Sequence, residues 1–109
     1  VFFRLNRHQI DPRSFPLLMN VAQVINAHPE IPRIRIEGHT DARGNARRNT
    51  QLSQRRANEV MNYLVRTGGV EASRLEAMGY GPTRPLVPTA ASEEEHAQNR
   101  RVEFNIVVQ

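Results

Sequence analysis

The residues best suited to recognition chemistry lie between positions 40 and 56. Asp41 ends an alternating apolar run and precedes a loop that contains Gly44. Asn45, Asn49, Leu52 and Arg56 follow at i, i+4, i+7 and i+11. At about 100° per residue these four fall within about 60° of one another on a helix. They form one stripe that borders the core-facing stripe, where it can line a cleft between helix and sheet edge. The chemistry of such a stripe beside Asp41 is bipolar. Asp41 supplies a negative charge, and Arg56 supplies a guanidinium that can grip a carboxylate through two parallel bonds. The asparagine amides can donate or accept at either end, and backbone amides at the helix start favour an anion. A zwitterionic amino-acid head, with adjacent ammonium and carboxylate, complements this arrangement. Each hydrogen bond to a charged group contributes about 1.5–3 kcal/mol, so two or three of them give modest affinity after the costs of association. The same spacing also fits a purely structural arrangement, in which Asp41 caps the loop and Arg56 pairs with it.

Other chemistries find less support. His39 and Asp41 are two apart on a predicted strand and share a face, and Ser53 lies nearby in sequence. A hydrolytic triad needs its serine on an exposed elbow, and no Gly-x-Ser-x-Gly elbow occurs in the chain. Catalysis is not expected, and His39 reads as a hydrogen-bonding residue at the strand end. His8, His28, His39 and His96 are scattered, with no His-x-x-x-His pair, so no metal site is expected. Cysteine is absent, which excludes thiol catalysis, disulfides and cysteine zinc sites. Arg43, Arg47, Arg48, Arg55 and Arg56 fall within 14 residues that contain no acid. Such a run can neutralise phosphates, or simply form a solvated face.

The elements that must position these residues follow from periodicity and punctuation. Residues 1–5 read as a short apolar strand. Asp11-Pro12 and Ser14-Phe15-Pro16 are helix-entry signals. Leu17, Leu18, Val21, Val24 and Ile25 then recur at helical spacing, with an end near His28-Pro29. Residues 34–37 alternate as a second strand. A long helix is predicted over 47–67, with Ala57, Val60, Met61 and Leu64 as its apolar stripe and Gly68-Gly69 as its stop. Residues 75–80 form a weaker strand candidate, and Pro82, Pro85 and Pro88 mark a loop. Ser92-Glu93-Glu94-Glu95 matches a capping box that opens a short helix; its acids suit the helix dipole. Residues 102–108 form a last strand. The order β-α-β-α-β-(α)-β predicts a two-layer α/β sandwich, with a small mixed four-stranded sheet and helices packed on one face.

Length and composition agree with this. At 109 residues, the chain is expected to form a single domain over 1–109. Apolar residues make up 39% and charged residues 24%, which is enough for one core without metal or disulfides. No apolar run is long enough for a membrane span. The net charge is +4 and every basic residue is Arg. That balance raises the prior for an anionic partner, while an aromatic content of 6% gives little support to base stacking.

The chain resembles the OmpA C-terminal-like family, the peptidoglycan-binding domain of OmpA, Pal lipoproteins and flagellar motor stator proteins. The matching residues begin with Glu37-Gly38-His39-Thr40-Asp41, Gly44, Asn49, Leu52-Ser53, Arg56-Ala57, Val60 and Leu64. They continue with Gly68, Val70, Gly79-Tyr80-Gly81, Pro85 and Asn99-Arg100-Arg101-Val102-Glu103. The resemblance implies noncovalent binding of peptidoglycan through the diaminopimelate residue of the stem peptide. It assigns Asp41 to the diaminopimelate ammonium and Arg56 to its carboxylate, with Asn49, Leu52, Asn45 and Asn6 lining the same pocket. A lysine-type stem lacks that carboxylate and would leave Arg56 without its partner.

The Asn99–Arg101 signature is read as structural, introducing the last strand. Arg4 and Arg43 depart from the small or acidic residues common in the family and add two cations beside the site. No cofactor, metal or nucleic acid is implied. The implied setting is the periplasm, in a domain cut from a longer, outer-membrane-associated envelope protein that it anchors to the cell wall beside other envelope proteins. The alternative on the same fold is an Arg-rich module for another anion, lipopolysaccharide phosphate or nucleic acid.

Overall fold

A computed structural model describes residues 1–3 and 7–107 of the chain. Helix α1 spans Phe15–Ala27 and carries Pro16 in its first turn, where the missing N–H has no helical partner to lose. Asp11 opens the 3-10 turn that leads into it, accepting from the Arg13 amide. At the other end of α1, the Arg74 guanidinium donates to the carbonyls of Ile25, His28 and Ile31 at 3.1, 2.8 and 2.9 Å. It thereby satisfies groups that a helix end leaves open.

Strand β1 spans Ile34–His39 and leads to helix α2, Ala46–Arg66. The Asn45 side chain caps α2 by accepting from the Arg48 amide at 2.9 Å. The chain then reverses at Gly68 and Gly69, the latter with φ of 71°. Strand β2 follows at Leu75–Gly81, helix α3 at Glu93–Asn99 and strand β3 at Arg101–Ile106. Both halves of the predicted capping box are present: Ser92 Oγ accepts from the Glu95 amide, and Glu95 Oε1 accepts from the Ser92 amide.

The sheet order is β2-β1-β3, with β2 parallel to β1 and β3 antiparallel to it. A parallel neighbour needs a crossover, and α2 supplies it. The mixed α/β fold stands as expected, but the fourth strand does not. Among the described residues the sheet has three strands, and residues 1–3 contribute only an isolated bridge, Phe3 to Ile10. That segment is fastened to the turn before α1: the Asp11 amide donates to the Phe2 carbonyl, and the Phe2 amide donates to Ser14 Oγ. Its backbone groups are spent there and not on the sheet edge.

The core joins Leu18, Ala22 and Ile25 of α1 with Ala57, Val60 and Leu64 of α2. Ile34, Ile36 and Leu75 close it from the sheet, with Val70 from the connection after α2. Each large side chain contributes about 1.5–3 kcal/mol by leaving water.

The N-terminal half of α2 lies directly on the ends of β1 and β2. A Cβ on Gly38 would stand 2.3 Å from the Ser53 carbonyl oxygen, and one on Gly79 would stand 2.3 Å from the Gln54 amide nitrogen. Side chains of the helix also bond the strand: Gln54 Oε1 accepts from the Gly79 amide at 2.8 Å, and Ser53 Oγ from the Gly81 amide at 2.9 Å. This contact places the Asn49, Leu52 and Arg56 stripe beside the end of β1. Gly38→Ala should therefore force helix and strand apart and destabilise the fold by about 2–3 kcal/mol. Urea unfolding would measure it, and a loss well under 1 kcal/mol would mean the helix can move without penalty.

Candidate functional site

The loop after β1 is built around Asp41. The Thr40 amide donates to the Gly81 carbonyl, which holds the loop against the end of β2. Asp41 Oδ1 then accepts from the Arg43 amide at 3.0 Å, an Asx-type turn that shapes the loop locally. Asp41 Oδ2 accepts from Arg43 Nη2 at 2.9 Å and from Arg100 Nη1 at 2.8 Å. The other nitrogens of the same guanidiniums reach Glu93, Arg43 Nη1 at 3.1 Å and Arg100 Nη2 at 2.6 Å. Two acids and two arginines thus close a ring, Asp41–Arg43–Glu93–Arg100.

Asp41 is the buried member, at 8% exposure. Burial acts to raise its pKa, but the bonds from Arg43 and Arg100 outweigh it and hold the carboxyl at about 2, against an ordinary 3.8. A depressed carboxyl stabilises the fold fully above the unfolded-state pKa, and that contribution fades as pH falls from about 4 towards 2.

Beside the ring lies a cavity of about 800 Å³ between the start of α2 and the ends of β1 and β3. Asp41, Asn45, Asn49, Leu52 and Arg56 all line it. The structure therefore brings together five of the six residues singled out from the sequence. The sixth, Asn6, lies outside the described residues, as does Arg4.

The five are unequally free. The Asn45 oxygen is spent on the helix cap, and Asn49 Nδ2 donates to the Arg43 carbonyl at 2.7 Å. Arg56 Nε donates to the Arg7 carbonyl at 3.0 Å, and its guanidinium lies 4.8 Å from the centre of the Phe3 ring. Among the described residues no carboxylate pairs with Arg56. Burial lowers its pKa, and the charge of Arg100 lowers it further. The structural alternative drawn from spacing is thus half realised: Asp41 does cap its loop, but Arg56 does not pair with it.

Arg43, Arg48, Arg100 and Arg101 add further cations to the wall. Sequence reasoning assigned no site role to Arg100 or Glu93, because the ring joins Asp41 to segments 59 and 52 positions away, Glu93 only through the two arginines. The structural role expected of the Asn99–Arg101 signature is evident in its bonds. Asn99 is buried and clamps the loop through both backbone groups of Val87. Arg101 donates to the carbonyls of Asn99 and Arg84 and pairs with Glu103.

The residues considered for other chemistry are occupied elsewhere. Ser53 is buried, donates to the Thr50 carbonyl and accepts from Gly81. His39 is buried, with Nε2 at 3.3 Å from Glu37 Oε1 and its ring stacked at 5.5 Å on Tyr80. Burial, aided by the Arg101 charge, holds His39 below the usual histidine range, against the pull of Glu37 and Glu103. The strand register sets Glu103 opposite Glu37, so one ligand-type atom from each of Glu37, His39 and Glu103 lies within 4.8 Å of the others. Scattered histidine spacing had given no sign of that cluster. Its Glu103 carboxylate is held by Arg101 and Asn105.

Comparison with known proteins identifies the architecture. The description "OmpA family" matches residues 2–100. Outer membrane porin F of Pseudomonas aeruginosa is 38% identical over 106 residues, covering 97% of this chain but only 30% of the porin. The chain thus spans about a third of that relative's length. The crystal structure of the peptidoglycan-associated lipoprotein from Burkholderia pseudomallei superposes with a TM-score of 0.83 at 32% identity, covering 96% of this chain and 86% of that one. The cell wall anchor of the T6SS from Pseudomonas aeruginosa gives 0.79 at 34% identity, covering 99% and 76%. With most of its length matched and the fold shared, the chain belongs to the OmpA family.

Proposed function

We propose that this chain binds peptidoglycan noncovalently, through the diaminopimelate residue of the stem peptide, and anchors an envelope protein to the cell wall from the periplasmic side of the outer membrane. Relatives named for the outer membrane, for peptidoglycan association and for cell-wall anchoring support the coarse reading. The observation that carries the finer one is Arg56. It is a half-buried guanidinium with no carboxylate partner among the described residues, and it lines the same cavity as the buried carboxylate of Asp41. Arg56 receives the ligand carboxylate and Asp41 its ammonium. Asn49, Asn45 and, outside the described residues, Asn6 supply polar contacts, while Leu52 packs against the aliphatic side chain. No bond is made or broken, and residues 1–109 act as one binding domain.

A second reading has one observation behind it. Among the described residues, Arg47, Arg48 and Arg55 have no carboxylate partner, so α2 offers charge to another anionic polymer. Salt separates the two readings, since affinity for a polyphosphate falls linearly with log salt and steeply, and a two-charge pocket is far less sensitive.

Calorimetric titration with a soluble diaminopimelate stem peptide, at two salt concentrations and beside the lysine-type peptide, tests the proposal. Saturable, weakly salt-dependent binding of the first peptide alone is expected. Arg56→Ala and Asp41→Ala should each abolish measurable binding while leaving the circular dichroism spectrum folded. Wild-type affinity in both variants would refute the site. The acid limb gives another check. Because Asp41 stays ionised down to about pH 2, binding should persist through pH 4. It should fail only towards pH 2, where Asp41 and the ligand carboxyl, acidified by the ammonium on the same carbon, take up protons. A midpoint above pH 5 would show that some other group controls the site.

A further inference from the structure

We infer that Arg43 is a tethered occupant of the ammonium subsite, and that the ligand's amino group binds by taking its place on Asp41 while Arg43 retreats onto Glu93. This rests on the reading of Asp41 as the ammonium acceptor. Of the roughly four acceptor positions of the Asp41 carboxylate, three are already filled by bonds from described residues. Oδ1 carries the Arg43 amide, and Oδ2 carries two guanidinium nitrogens at 2.8 and 2.9 Å. For an ammonium to reach Oδ2, or to make more than one bond to the carboxylate, one guanidinium must leave. Arg100 is the more confined, with its side chain 37% exposed, at the junction of α3 and β3. Arg43 sits on the loop with its side chain 52% exposed. Arg43 is also already held at its second nitrogen by Glu93 Oε2 at 3.1 Å. A small rotation therefore exchanges one carboxylate for another without leaving the guanidinium unpaired.

The exchange implies an order of events. While Arg43 covers Asp41, the cavity wall presents Arg48, Arg56 and Arg100 to an approaching molecule. A ligand carboxylate therefore docks first, and the ammonium competes for Asp41 only once it is tethered nearby. A free cation without a carboxylate, such as an alkylamine, gains no such proximity and does not displace Arg43. Arg43 in this way makes the pocket select for an ammonium and a carboxylate on one molecule.

Affinities for two ligands test the exchange: the diaminopimelate stem peptide, and the analogue lacking the side-chain amino group. Arg43→Ala should bind the stem peptide about fivefold more tightly than wild type, the scale of one partly exposed ion pair. It should bind the analogue no more tightly than wild type does. Glu93→Gln removes the alternative carboxylate and should weaken stem-peptide binding by a similar factor. In the Arg43→Ala background the same change should have a much smaller effect, a coupling that two unrelated structural losses would not produce. Equal or weaker stem-peptide binding by Arg43→Ala would overturn the inference and make Arg43 a contributor to the site. Absence of binding by wild type and variant alike would overturn the diaminopimelate reading as well. Binding by Arg43→Ala alone would support both.

Discussion

The close contact between α2 and the glycine-bearing ends of β1 and β2 is the constraint on which the rest depends. With Gly38 and Gly79 facing the backbone of Ser53 and Gln54, the helix sits where no side chain would allow it. Two consequences follow from one approach. The helix side chains of Ser53 and Gln54 can bond the amides of Gly81 and Gly79, so the strand end is fixed in orientation as well as in distance. The adjoining turns of the same helix, before and after this contact, carry Asn49, Leu52 and Arg56 past the loop that begins at Asp41. A larger residue at either glycine would shift the guanidinium relative to the carboxylate. The spacing of the two charges is thus set by backbone packing and not by the loop itself.

Local signals were legible in the sequence, and assembled ones were not. The capping box at Ser92 and Glu95, the glycine stop after α2 and the stripe from Asn45 to Arg56 depend on neighbours within a few turns, and each appears in the structure. The apolar run at the N-terminus looked equally clear as a strand. Its partners were decided by the Asp11–Ser14 turn, which competes for the same backbone groups. Register is another property that periodicity does not carry. Only the pairing of β1 with β3 sets Glu103 against Glu37 and brings His39 between two carboxylates. The ring around Asp41 is the furthest from view, because it needs the loop, the start of α3 and its last turn to converge.

Under the proposed function, a site that offers so few charged contacts suits binding to a polymer better than binding to a free metabolite. Two charged contacts and a few amides supply modest affinity once association costs are met. If the stem peptide is the ligand, a wall of repeats presents many copies of it to a tethered protein, so effective concentration replaces intrinsic tightness. Rapid local exchange is then compatible with durable attachment. Arg47, Arg48 and Arg55, which have no carboxylate partner among the described residues, act over a longer range. Under the proposed function they attract an anionic network in general, while the cavity reads the one side chain that carries both signs.

The two charges of the pocket are maintained in opposite ways when it is empty, and the difference follows from side-chain chemistry. A buried carboxylate without partners would be strongly destabilising, and Asp41 avoids this through three donors that hold it ionised. A guanidinium is weakly hydrated and stacks on rings. Arg56 can therefore rest half-buried against Phe3, with one backbone carbonyl and no acid among its described partners. The acid must always be covered, and the arginine need not be. On the reading proposed above, recognition at Arg56 is an addition to an open position, whereas recognition at Asp41 is a substitution within a closed ring. The free energy of the second contact is consequently a difference between two ion pairs, and most of the net affinity must come from the first.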